Sequence, residues 1–215
     1  MSHGDELVIV VDDDPVVQVS LCDLFASVRI RSVALGSVTE YLAGPRPEQP
    51  TCLVLDINLP DMSGLEFQAK MHSDDHPPIV FLTGYADIPS SVSAMKLGAV
   101  DFLLKPFAGE ALLSAVRAAI ELDRRRMQER EELSALRERF ESLTRREREV
   151  LPLIVSGLLN KQAAVELGIS EITLQVHRGH VMQKMKAASL ADLVRMATKL
   201  DISILHSRYA GAHPQ

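Results

Sequence analysis

Residues 52–64 read CLVLDINLPDMSG, an unbroken apolar run that ends on a carboxylate and gives way to Pro, Asp, Ser and Gly. An apolar run bounded by turn residues is the pattern of a strand covered on both faces. Four similar runs flank it: LVIVV (7–11), IRSVAL (30–35), PIVFLT (78–83) and VDFLL (100–104). Helical patterns fill the intervals. Five apolar strands joined by crossover helices predict an α/β fold over residues 1–122, a doubly wound five-stranded parallel sheet. Such sheets hold their ligand at the C-terminal strand ends. Polar residues fall there: Asp12 and Asp13 end the first strand, Asp56 lies near the end of the third, Thr83 ends the fourth and Lys105 follows the fifth.

Outward from this sheet, the 215 residues contain no apolar run approaching the roughly 18 to 20 a membrane span needs. The start, MSHGDELVIVV, lacks the basic segment of a secretory leader, which predicts a cytoplasmic protein without membrane contact. Cys22 and Cys52 have no metal-ligand spacing and read as core residues. The net charge of -6 hides an asymmetry: residues 1–122 carry 17 acidic and 7 basic side chains, residues 123–143 carry 6 of each, and residues 144–215 carry 6 acidic and 10 basic. Acidic and basic parts with different work are expected.

From Gly109 the pattern stays helical, and residues 123–143 read as a helical linker. Its positions Leu133, Leu136, Phe140 and Leu143, spaced 3, 4 and 3 apart, form a seam that suits either a second helix or the next domain. Residues 144–215 read as all-helical, with helices near 144–156, 160–167, 171–184 and 190–200. Thr144 with Glu147 makes a capping box, Ser189 with Asp192 approximates one, and Asn160 and Ser170 suit N-caps. The turn Leu167-Gly168-Ile169-Ser170 is what a helix-turn-helix requires. Val165, Leu167, Ile169, Ile172, Val181 and Met185 are expected in its core.

Carboxylates gathered at strand ends repel one another unless a cation intervenes. Mg²⁺ takes oxygen ligands and keeps several waters, so Asp13, Asp56 and one backbone carbonyl would suffice, with Asp12 acting through water. With Asp12-Asp13, Asp56 in LVLDINLPDMSG, Thr83-Gly84 and Lys105-Pro106, residues 5–122 resemble the CheY-like receiver domain, whose sheet is flavodoxin-like. The resemblance implies that Asp56 accepts a phosphoryl group from a histidine kinase or a small donor. It also implies Mg²⁺ on Asp12, Asp13, Asp56 and the Asn58 carbonyl, phosphoryl contacts from Thr83 and Lys105, a switch in Phe102, and a cis Lys105-Pro106 bond. Asn58 and Tyr85 lie where receivers vary the lifetime of the phosphate, and a bulky Tyr85 is expected to hinder the hydrolytic water.

The tail, LTRREREVLPLIVSGLLNKQAAVELGISEITLQVHRGHVMQKMKAASLADLVRMA, resembles the LuxR/NarL/FixJ type of helix-turn-helix, most closely FixJ-like regulators. The resemblance implies a recognition helix in the major groove of promoter DNA, with Gln175, Val176 and Arg178 at base edges and Lys161, Thr173, His177 and Lys184 at phosphates. Gln175 and Gly179 stand where relatives carry longer or basic side chains. Implied partners are a cognate kinase, RNA polymerase and a second copy of the chain on phosphorylation, with Leu190, Leu193, Val194 and Ala197 as a pairing surface. A phosphoaspartate-forming phosphatase or phosphotransferase is the enzymatic rival, but such enzymes with an Asp nucleophile need an acid two residues later. Asn58 stands there, and an amide cannot protonate a leaving group. A receiver that only dimerises, and a pure adaptor, are the other rivals; the five-residue site weighs against the first and the helix-turn-helix against the second.

Overall fold

The computed structural model describes residues 6–71, 76–84 and 88–202, and the chain divides into two compact units, Met1–Gln128 and Glu129–Gln215. In the first unit, β1 (Leu7–Val11), β2 (Arg31–Leu35), β3 (Thr51–Asp56), β4 (Ile79–Thr83) and β5 (Asp101–Leu104) form one parallel sheet of order β2-β1-β3-β4-β5. Between them run α1 (Pro15–Ser27), α2 (Val38–Ala43), α3 (Gly64–Lys70) and α4 (Ile88–Lys96), and α5 (Gly109–Glu141) follows. The expected doubly wound sheet is present.

Side chains alternate across each strand, so the central strands feed two cores. Val8, Val10, Cys52, Val54, Val80 and Leu82 pack with Leu21 and Phe25 of α1 and with Leu112 and Val116 of α5. On the other face Ile9, Leu53, Leu55, Ile79 and Phe81 pack with Val38 of α2, Phe67 of α3 and Ala94 of α4. The edge strand β2 is only partly covered. At the opposite end of the sheet from the acidic residues, the buried Asp123 of α5 accepts the Thr51 N–H at 2.9 Å.

The second unit holds the end of α5 with α6 (Arg145–Val155), α7 (Asn160–Leu167), α8 (Glu171–Met185) and α9 (Leu190–Lys199). Of the expected seam, Leu136 and Leu143 are buried with Val150, Leu151, Ile154 and Leu174, Phe140 packs beside them, and the Arg148 guanidinium lies 5.4 Å from the Phe140 ring centre. The seam therefore packs on its own unit. Thr144 and Glu147 cap α6 reciprocally, and Gly168, at φ +62°, makes the left-handed turn between α7 and α8.

Three expectations for this unit are corrected. Val165 and Ile172, expected in the core, are 75% and 78% exposed. Leu193 and Ala197, expected on a pairing surface, are fully buried in the unit's own core. Asn160 does not cap α7. The helix is flanked by Leu159, whose N–H donates to Gln162 Oε1 at 3.0 Å, and the Asn160 amide is engaged elsewhere. No helix among the described residues is long and apolar enough to cross a membrane.

Candidate functional site

The register of the sheet assembles the acidic site. Val11 of β1 lies opposite Leu55 of β3, so Asp12 and Asp56 are level, and strand alternation puts both on the face of Val10 and Val54. Lys105 reaches them from beyond β5. Its Nζ donates to Asp12 Oδ2 at 2.6 Å and to Asp56 Oδ2 at 2.5 Å. The second oxygens accept backbone N–H groups, Asp12 Oδ1 from Asp14 at 3.0 Å and Asp56 Oδ1 from Asn58 at 2.9 Å. Both carboxylates are buried. Burial pushes the Asp12 carboxyl above its ordinary value, opposed by the Lys105 and Asp14 donors and assisted by the charge of Asp56. For Lys105 burial acts downward, yet the bonds to Asp12 and Asp56 outweigh it and hold the ammonium above the usual lysine range.

Asp13 differs from its two neighbours in the expected triad. Its carboxylate is exposed and without a partner among the described residues, and those residues contain no cluster of three His, Cys, Asp or Glu side chains that could hold a metal. Asp12 and Asp56 nonetheless offer only hard oxygens, and these two buried carboxylates set against one ammonium leave an excess of negative charge. This set fits a divalent cation such as Mg²⁺.

Thr83 is buried on the other face of the sheet, with Phe81, and its carbonyl accepts the Lys105 N–H at 2.7 Å. Phe102 is half-buried on that same face, its ring centre 6.4 Å from that of Phe81. The Lys105-Pro106 bond is cis. Tyr85 lies outside the described residues. Two contributors escape a reading of single motifs. Gln18 of α1 donates to the Asp12 carbonyl at 2.6 Å and the Leu35 carbonyl at 3.1 Å, tying the ends of β1 and β2. Gly64 sits so close to β3 that a Cβ there would lie 2.6 Å from the Asp56 carbonyl oxygen. A lone polar residue among the valines of α1 was the available sign for Gln18; Gly64 had none beyond its place at the start of a helix.

In the second unit α8 turns Leu174, Val181 and Met185 inward. Lys161, Thr173, Gln175 and Val176 are exposed, while His177 is half-buried with an Nδ1 that has no partner among the described residues. Two cations expected at DNA are engaged within the protein. Arg178 Nη1 donates to Asn160 Oδ1 at 3.0 Å, and Lys184 Nζ donates to the buried Glu147 carboxylate at 2.7 Å. Burial would raise the Glu147 carboxyl, but the Lys184 and Thr144 donors overcome it and hold it below the usual range.

A doubly wound domain with this acidic edge, followed in the chain by a helix-turn-helix, is a signal receiver carrying a DNA-binding output. Residues 8–117 match the response regulator receiver domain and residues 141–197 match the bacterial regulatory proteins of the luxR family; the chain belongs to the two-component response regulators with a LuxR-type output domain. It is 50% identical over 94% of its length to Nodulation protein W of Bradyrhizobium diazoefficiens, 89% of which is covered. It is 41% identical over 87% of its length to the transcriptional regulatory protein FixJ of Azorhizobium caulinodans, 90% of which is covered. Among solved structures, response regulator StyR is similar at 45% identity and a TM-score of 0.79, with 91% of this chain and 99% of that one covered. Membership implies a histidine kinase partner and binding to DNA.

Proposed function

We propose that Asp56 is the phosphoryl acceptor of a cytoplasmic transcription regulator, passing its signal from the receiver (1–122) through the helical segment 123–143 to the DNA-binding domain (144–215). The observation that carries this reading is the Lys105 ammonium shared between Asp12 and Asp56 at the C-terminal edge of the sheet. The phosphoryl group passes from a phosphohistidine, or from a small donor such as acetyl phosphate, to a carboxylate oxygen of Asp56. The bond to the donor breaks as the new P–O bond forms. Lys105 neutralises charge growing on the phosphoryl oxygens, and the Thr83 hydroxyl donates to one of them. Mg²⁺ would be held by Asp13, Asp56 and the Asn58 carbonyl oxygen, with Asp12 through water, and would supply further charge neutralisation.

The modified carboxylate carries roughly -1.5 to -2 charges, drawing Thr83 toward it and letting Phe102 turn inward on the face shared with α4. That change controls dimerisation, which brings two output domains onto paired half-sites near the binding site of RNA polymerase. Lys161, Thr173 and His177 meet phosphates. Gln175 and Val176 meet bases. Intact-mass analysis after treatment with acetyl phosphate and Mg²⁺ tests the reading: wild type gains one acid-labile phosphoryl group and tighter DNA binding, and Asp56→Asn gains neither. Phosphate on another residue, or an Asp56→Asn protein that still responds, refutes it.

A further inference from the structure

Because α8 buries Leu174, Val181 and Met185, the opposite side of a 3.6-residue helix is the line through Ile172, Gln175, Val176, Gly179 and Gln183. All five are exposed, Ile172 at 78% and Val176 at 52%. None carries a charge. The nearby cations are drawn away from this line, Arg178 toward Asn160 and Lys184 toward Glu147. At Gly179 an added Cβ would meet nothing within 4 Å. Folding gives no reason for this surface. Exposed β-branched residues and a mid-helix glycine all weaken a helix relative to alanine. The excess of basic over acidic residues in 144–215 already supplies attraction to phosphates. The neutral stripe is left to discriminate among bases.

Guanine is read in the major groove chiefly by Arg or Lys, adenine by Asn or Gln, and the thymine methyl by apolar contact. Resting on the DNA-binding reading of this unit, we propose that α8 selects A·T base pairs: Ile172 and Val176, one turn apart, pack on thymine methyl groups, and Gln175 bonds adenine N6 and N7. Gly179 lets the helix backbone approach the base edges, and no cation on the stripe favours guanine.

The test selects sites from random duplexes with the full chain activated by beryllofluoride, then replaces each selected thymine by deoxyuridine, which lacks only the methyl group. Half-sites rich in A·T are expected, with one or two thymines each at which the replacement weakens binding about fourfold, the worth of one buried methyl. Ile172→Ala and Val176→Ala each abolish that sensitivity at one position, and Arg178→Ala, which removes a side chain held on Asn160, leaves the base preference unchanged. Equal binding of thymine and deoxyuridine duplexes overturns the proposal, as does a guanine preference that Arg178→Ala erases. If Ile172→Ala and Val176→Ala change no base preference, the stripe serves another partner and the proposal fails. Retention of no duplex, phosphorylated or not, would overturn the DNA-binding reading itself.

Discussion

Replacing Lys184 with methionine separates a structural cation from a DNA contact. Glu147 is 4% exposed in its side chain and depends on the Lys184 ammonium at 2.7 Å, the Thr144 N–H at 2.7 Å and the more distant His180 ring at 3.6 Å. Removing one partner of a buried ion pair costs about 3–5 kcal/mol. The Lys184 side chain keeps 35% of its surface in solvent, which screens the interaction and brings the expectation down to about 2 kcal/mol. With a urea slope of about 1–3 kcal/mol per molar, the unfolding midpoint of the second unit falls by about 1 M. Adding Glu147→Gln to Lys184→Met recovers much of the loss, since no unpaired charge is then left behind. The effect also depends on pH. Glu147 titrates below its usual value of 4.5 in the folded chain. Its stabilisation is therefore complete above the unfolded value and is lost as pH falls through the folded one, so the gap between wild type and Lys184→Met closes in acid. The salt dependence of DNA binding supplies the second readout. Lys184→Met leaves the log–log slope unchanged, whereas Lys161→Met lowers it by about 0.9 per phosphate lost. A Lys184→Met protein with a normal urea midpoint and a reduced slope would refute the assignment.

Leu136→Ala should destabilise the second unit by about 2–5 kcal/mol, because its side chain is buried in that core, while Asp56 phosphorylation followed by mass stays normal. For Gly64→Ala, the Cβ would overlap the Asp56 carbonyl, so a loss of about 1–3 kcal/mol and slower phosphorylation are expected by denaturant titration and stopped-flow measurement. Asp123→Ala leaves the buried Thr51 N–H without its acceptor and should cost the receiver about 1–3 kcal/mol, read as a lower urea midpoint. Gly179→Ala should stabilise the second unit by about 1 kcal/mol, since the new methyl meets nothing. An unchanged melting temperature would contradict that expectation.

The strands were legible because a sheet covered on both faces writes long apolar runs, as at Leu53, Val54 and Leu55. The acidic residues could be placed at strand ends, but not paired. That Asp12 stands level with Asp56, and that Lys105 bridges them while Asp13 stays in solvent, depends on inter-strand register, which no single strand encodes. In the second unit the caps at Thr144, Ser170 and Ser189 read correctly because each is a local bond between neighbouring residues. Ile172 was misread because helical spacing shows that positions share a helix without fixing which face is inside. Nine residues before Val181, it lies about half a turn away from it. The seam at Leu136 and Leu143 was visible as apolar, yet its partners, the buried residues of the helices that follow in the same unit, could be found only in three dimensions. Asn160 has the chemistry of a cap, but the helix begins beside Leu159 and the amide reaches Arg178 instead.

The helix α5 has a practical corollary for dissecting or recombining this protein. Asp123 is buried within the first unit, and Leu136, Phe140 and Leu143 belong to the core of the second. A receiver fragment ending at residue 122 therefore forfeits an anchor of β3. An output fragment beginning at residue 144 starts with its hydrophobic wall missing and is prone to precipitate. Splices that exchange sensors or readers among such regulators belong between these two commitments, near Gln128 and Glu129, where neither partner is robbed of interior.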